Sequence, residues 1–156
     1  MQTLNGIPGV LQAASYAADV GVERIASSNW NFTDDTGAQG TFTIFQVTGD
    51  VYIQQIYGLC QTTLAGVGAT IELGITGNTA VLIAQTTAAD LEQYEVWQDA
   101  TPETNPGVII LLSRSWILAN GADIILTVAT ADLTAGDVDF HCVWRPLSVD
   151  GKIVGL

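Results

Sequence analysis

Near the C-terminus the chain reads ADLTAGDVDFHCVWRPLS, residues 131–148, which holds the only histidine, His141, and one of the two cysteines, Cys142. Asp137, Asp139 and His141 recur at every second position, and both residue types can ligate a metal. A thiolate beside an imidazole is also the pairing that nucleophilic catalysis uses. Spacing separates these possibilities. Successive side chains on a strand point to opposite faces, so Val138, Phe140, Cys142 and Trp144 share one apolar face. Asp137, Asp139, His141 and Val143 share the other. Cys142 and His141 then point apart, which excludes a Cys–His pair between them. Cys142 reads as a small core residue. Three ligands in a row along one strand span too far for a single ion, and no second histidine completes the set. The face is expected to be a solvated acidic surface. Its alternative is a cation site completed from elsewhere, where subunits meet.

The remaining chemistry is sparse. The sequence contains neither a phosphate-binding loop nor a nucleophile elbow. Sixteen acids make a glycosidase pair easy to imagine, yet none sits in a context that singles it out. Trp30, Trp97, Trp116 and Trp144 could stack on a sugar, although tryptophans of this kind more often fill a core or an interface. Cys60, Trp97 and Cys142 fall in the Cys–Trp–Cys order of an immunoglobulin domain. However, the cysteines lie 82 residues apart, and Phe140, two before Cys142, lacks the hydroxyl of a tyrosine corner. The two cysteines are either free thiols or one cross-sheet bridge. No catalytic, cofactor-binding or metal residue is assigned, and the chain is expected not to be an enzyme.

The elements that would position these residues are strands. ATIELGI, residues 69–75, places Ala69, Ile71, Leu73 and Ile75 on one face and Thr70, Glu72 and Gly74 on the other. That alternation marks a half-buried strand. TFTIFQV (41–47) and VYIQQIY (51–57) flank a short loop at Thr48-Gly49-Asp50, which predicts a hairpin. TGNT (76–79) predicts another, leading into AVLIAQ (80–85). WIL and DIILTV flank Ala119–Ala122, where Asn120-Gly121 suits a tight hairpin turn. VIILL (108–112) lacks alternation and reads as a strand covered on both faces. Two similar stretches, ADLEQYEV (89–96) and ADLTAGDV (131–138), each predict a corner. Asp90 or Asp132 would cap a single turn there, and the following leucine would plug the core.

The pattern is eight to nine short strands with no long helical periodicity, which argues an all-β fold. The expected architecture is a single jelly-roll-like β-sandwich over residues 31–156. Residues 1–30 differ, being rich in Gly, Pro and Ala. They form either a short helix or an extended arm, whose Leu4, Ile7, Val10 and Leu11 would suit packing on a neighbouring subunit.

Composition narrows the function. At 156 residues the chain can bury a real core. It is 48% hydrophobic but only 13% charged, against about 25% charged in an average protein. Its net charge of −12 should repel phosphate backbones and anionic membranes, so neither nucleic acid nor membrane is an expected partner. Apolar runs fall far below the ~20 residues of a spanning helix, and the N-terminus has no signal-peptide pattern. A sparsely charged, apolar-rich chain either covers itself with neutral polar residues or buries surface again in an oligomer. The oligomer is the expected outcome.

The stretches GATIELGITGNTAVLIAQTTAADL and NGADIILTVATADLTAGDVDFHCVWRPLSVDG resemble small β-rich virion proteins of tailed bacteriophages, most of all capsid decoration proteins. The resemblance covers about residues 41–151 and carries no functional residue. It implies a homotrimer on the outer capsid surface, made in the host cytoplasm. There it would seat over junctions of the major capsid protein and oppose internal pressure without cofactor or catalysis. The rival reading is a carbohydrate- or receptor-binding jelly roll of a phage tail or surface appendage, with calcium held by loop acids.

Overall fold

The computed structural model describes residues 20–103 and 111–156. In chain order these form β1 (Arg24–Asn31), a helical turn α1 (Phe32–Asp35), β2 (Gly40–Thr48), β3 (Val51–Ala65), β4 (Thr70–Ile75) and β5 (Asn78–Thr87). A 3-10 turn (Ala88–Asp90), β6 (Val96–Trp97), β7 (Trp116–Leu118), β8 (Ile124–Ala129), β9 (Ala135–Pro146) and β10 (Lys152–Gly155) follow. The described residues thus hold ten strands, slightly more than the alternation suggests. They make an all-β sandwich of two antiparallel sheets. The first has the order β1-β9-β3-β6, with β7 also paired to β3, and the second is β10-β2-β8-β4-β5. No helix among the described residues is long and apolar enough to cross a membrane.

Alternation builds the core. Along β9 every second residue, from Gly136 to Pro146, is buried, and the residues between are half-buried. Phe140, Cys142 and Trp144 therefore meet Ile71, Leu73, Ile83 and Phe45 of the second sheet in one apolar cluster. Trp97 and Phe140 pack edge to face with ring centroids 6.2 Å apart, and Trp30 does the same with Phe42 at 6.0 Å. Such contacts add to area burial by about 0.5–1.5 kcal/mol each.

Both flanks of the sandwich are closed by specific contacts. On one side the indole N–H of Trp97 donates to Thr86 Oγ1 at 2.8 Å, and that of Trp116 donates to the Val81 carbonyl at 3.1 Å. β6 and β7 are thereby tied to β5 across the sheets. On the other side β10 meets β1. Ser28 Oγ donates to the Leu156 carbonyl at 2.7 Å, and a Cβ at Gly155 would strike the Ser27 carbonyl oxygen. The two edge strands can approach this closely only because Gly155 has no side chain.

Several expectations need correction. Of the three hairpins, only β4–β5 is one: Ile75 pairs with Asn78 across Thr76-Gly77, and Gly77 has φ 88°. Thr48–Asp50 and Ala119–Ala122 are corners, because β2 and β8 lie in the second sheet while β3 and β7 lie in the first. Gly49, Asn120 and Gly121 do adopt positive φ. A tight turn serves a hairpin and a sheet-to-sheet corner equally well. The two corners are tied together, with Gly121 N–H donating to the Gly49 carbonyl at 3.0 Å and Asn120 N–H to Asp50 Oδ1 at 3.0 Å.

The sandwich also begins before residue 31, since Trp30 sits on β1 and is 1% exposed. The helical turn falls after this point. At α1, Asn31 Oδ1 accepts from Asp34 N–H at 3.0 Å while Asp35 Oδ2 accepts from Asn31 N–H at 2.9 Å, a reciprocal cap. Residues 1–19 of the expected arm lie outside the described residues, as do 108–110 of the expected VIILL strand. Leu111 and Leu112 are in no strand. At the two Ala-Asp-Leu corners Leu91 and Leu133 are buried, as plugs should be. Neither aspartate caps locally in the expected way: the 3-10 turn has no side-chain cap, and Asp132 Oδ1 instead accepts from Gln39 N–H at 2.9 Å.

Cys60 and Cys142 are free. Both lie in the first sheet, where Cys60 pairs with Val138 and Cys142 with Ile56. Four residues of strand separate them, about 13 Å, beyond disulfide reach. The immunoglobulin order is therefore coincidental, because that bridge joins opposite sheets. Burial pushes the Cys142 thiol from 9.0 up to about 12. Burial, with smaller contributions from Glu95 and Asp137, raises Cys60 to about 11.

Two predictions follow from this packing. Gly155→Ala should cost about 2 kcal/mol in urea denaturation, whereas Val154→Ala beside it should be nearly neutral; equal effects would disprove the close-approach argument. Raised thiol pKa values mean that thiolate is scarce below the ordinary value and forms only as pH climbs toward 11–12. At pH 8 a thiol reagent should therefore find no reactive cysteine in the native protein and two per chain after unfolding. Fast reaction of either native cysteine would contradict this.

Candidate functional site

β9 lies between β1 and β3, so the Asp137, Asp139 and His141 face is completed by its neighbours. On β1, Asn31 pairs with Asp137, Asn29 with Asp139 and Ser27 with His141. On β3, Thr62 pairs with Asp137, Leu59 with Asp139 and Tyr57 with His141. Ser27, Asn29 and Asn31 repeat the period of two found in the acids, which is why the three rows align.

The side chains form a hydrogen-bonded band. Asn29 Nδ2 donates to Asp137 Oδ1 at 2.6 Å and to Asp139 Oδ1 at 2.9 Å, bridging the two carboxylates. Gln61 Nε2 donates to Asp139 Oδ2 at 2.8 Å. Asn31 Nδ2 donates to Asn29 Oδ1 and to Asp34 Oδ2, each at 3.0 Å, carrying the network into α1. His141 Nδ1 lies 2.9 Å from Ser27 Oγ, and its ring packs against Tyr57 at 5.3 Å.

This arrangement bonds carboxylates to neutral amides instead of converging them. Asp137 and His141 sit about 13 Å apart along the strand. No group of three or more His, Cys, Asp or Glu residues is placed to hold a metal among the described residues. Cys142 faces the core, away from His141, as the alternation requires. The partners Ser27, Asn29, Tyr57 and Gln61 are neutral or aromatic and carried no catalytic signal in the sequence. The S-x-N-x-N alternation of β1 could have pointed to Ser27 and Asn29, whereas nothing in β3 marks Tyr57 and Gln61.

The other candidates are structural in geometry. Trp30, Trp97 and Trp144 are buried, and Trp116 is half-buried with its indole bonded across the sheets, so the four make no exposed stacking platform. The loop acids Asp50 and Asp150 tie loops together. Asp50 N–H donates to Ser148 Oγ at 2.8 Å, and that hydroxyl donates to Asp150 Oδ1 at 2.7 Å.

The role of Asn29 can be tested directly. Asn29→Ala should cost about 1 kcal/mol. Asn29→Asp should cost more at low salt, because three carboxylates then adjoin, and should recover as salt screens them. A salt-independent loss in Asn29→Asp would refute the bridging role.

No protein-family model matches the chain, and no curated protein sequence matches it. Solved structures do share its architecture. A chain of the acidic stable capsid structure of Helicobacter pylori bacteriophage KHP30 is 7% identical, with TM-score 0.57, over 88% of this chain and 96% of that one. A chain of the cyanophage Pam1 capsid asymmetric unit is 11% identical, with TM-score 0.56, over 81% of this chain and 86% of that one. At these identities the likeness is one of fold, and it extends over nearly the whole sandwich in both phage chains.

Proposed function

We propose that this chain is a non-enzymatic structural protein of a bacteriophage virion, and within that class a decoration protein on the outer surface of the head. The observation that carries the reading is the likeness to chains of two phage capsids, which spans most of each partner. The connectivity supports describing the sandwich as a jelly roll. Every connection crosses between the sheets except β4–β5 and the segment from β6 to β7. A net charge of −12 suits a protein outside the shell, away from packaged DNA.

Self-association as a homotrimer, seated on the major capsid protein, is the finer part of the proposal. It is supported by the outer face of the first sheet, where Ile25 is 72% and Ile117 is 67% exposed beside Tyr52 and Val143. Exposed apolar residues grouped on one sheet suit a contact surface. Stabilisation would be mechanical, since binding many equivalent shell sites favours the bound, intact form by mass action.

The test adds purified protein to undecorated mature capsids and to empty precursor shells. Saturable binding to expanded shells, with greater resistance to heat or chelator, is expected, as is a trimer by light scattering at micromolar concentration. A clean monomer of 16.4 kDa would overturn the trimer. Failure to bind any head, with specific binding to a glycan, would move the protein to a tail or receptor-binding role.

A further inference from the structure

Between β7 and β8 the chain crosses from the first sheet to the second through Asn120-Gly121, and that corner is locked onto the one between β2 and β3. Asn120 takes φ 61° and Gly121 φ 69°. The Gly121 N–H donates to the Gly49 carbonyl at 3.0 Å, and the Asn120 N–H donates to Asp50 Oδ1 at 3.0 Å. Asp50 is braced in turn, its own N–H donating to Ser148 Oγ at 2.8 Å. A Cβ at position 121 would lie 2.9 Å from the Val47 carbonyl oxygen, so the packing calls for glycine there. Asn120 itself is exposed. With Gly49, Asp50, Ser148 and Asp150 it lines a polar hollow of about 330 Å³.

We propose that Asn120 is a site of spontaneous deamidation, gated by these two hydrogen bonds. Asparagine before glycine is the arrangement the reaction favours, because no side chain shields the glycine nitrogen. The Gly121 main-chain nitrogen gives up its proton and attacks Cγ of Asn120. A C–N bond closes a five-membered succinimide, and the side-chain nitrogen leaves with a proton as ammonia. Water then opens the ring at either carbonyl, leaving aspartate or isoaspartate. Nothing is oxidised or reduced, and water is the only other reactant. In the closed corner the nucleophile is held back, since its N–H is committed to the Gly49 carbonyl. The carboxylates of Asp50 and Asp150, at the same hollow, also disfavour a nitrogen anion. Reaction therefore passes through a local opening, which an exposed corner reaches at lower free energy than the core. The product changes the corner. A new carboxylate at 120 joins Asp50 and Asp150 around one hollow, with Asp123 two residues beyond Gly121 and Lys152 beside Asp150 as the nearby base. Isoaspartate also inserts a carbon into the main chain. Either product loosens the tie between the two corners, so this end of the sandwich records the age of the chain.

Mass-spectrometric peptide mapping of the full chain, held at pH 8, reads conversion at Asn120 separately from Asn5-Gly6, the other such pair in the sequence. Asn120 should convert in the native protein, but more than about tenfold more slowly than in the urea-unfolded chain. Asp50→Ala removes the acceptor for the Asn120 N–H and should speed native conversion about fivefold. Asp132→Ala removes a comparable bond, to the Gln39 N–H, beyond the opposite end of β8, and should leave the rate unchanged. Equal rates in the native and unfolded chains would overturn the proposal. So would an absence of native conversion even in Asp50→Ala, or the same acceleration from both variants. Asn120→Asp makes one product in advance. Its urea midpoint should fall at low salt and recover as salt screens the carboxylates. An unchanged midpoint would overturn the claim that the modified corner loosens.

Discussion

The structure depends on one strand that cannot shift by a residue. β9 crosses the middle of the first sheet with twelve residues alternating half-buried and buried, and it pairs with β1 on one side and β3 on the other. A one-residue slip would carry Phe140, Cys142 and Trp144 to solvent and drive Asp137, Asp139 and His141 into the core. Burying those charges without partners would cost far more than any hydrogen bond returns. The register of both neighbours follows from this, and with it the alignment of Ser27, Asn29 and Asn31 against the acids.

That constraint explains what could be read from sequence. The faces of β9 and β4 are local facts of period two, so the core role of Cys142 and the outward acids were legible from one strand. The all-β class was legible for the same reason. Two of the three hairpins were not. Thr48-Gly49-Asp50 and Asn120-Gly121 have the turn chemistry of hairpins, and they do turn sharply. Whether the next strand pairs with the last one or crosses to the other sheet depends on long-range burial, which no window of ten residues contains. The polar band was half legible. Its acids stood out by type, while Asn29, the residue that bridges them, is an ordinary amide until β1 is placed beside β9.

Closure at the flanks shows how different residues solve one problem. An open sandwich leaves edge strands that invite unwanted pairing. At one flank two tryptophans reach across with their indole N–H groups while their rings fill space between the sheets. At the other, β10 approaches β1 backbone to backbone at Gly155, and the strands part again toward Lys152 and Arg24. The first flank uses the largest side chains available and the second uses the smallest. Trp144 lines a groove where the strands part, and its buried indole N–H has no hydrogen-bond partner.

The surface follows a related economy. With four basic residues against sixteen acids, the chain cannot neutralise its carboxylates by ion pairs. Arg145 and Glu23 form one, at 3.1 Å, with both side chains well exposed, and such pairs add little. Neutral amides and hydroxyls take over elsewhere, as Asn29, Gln61 and Ser148 do around Asp137, Asp139 and Asp150. A surface held by neutral donors keeps its negative charge. Copies of the chain therefore repel at long range, and close association must rely on apolar contact. Arg24, Arg145 and Lys152 lie at one end, and acids stand beside them: Glu23 pairs with Arg145, and Asp50 and Asp150 lie next to Lys152. The acids Asp34, Asp35, Asp132 and Asp137 lie toward the other. Where acids gather without basic neighbours, amide and hydroxyl donors must hold them, as Asn29 and Gln61 do for Asp137 and Asp139.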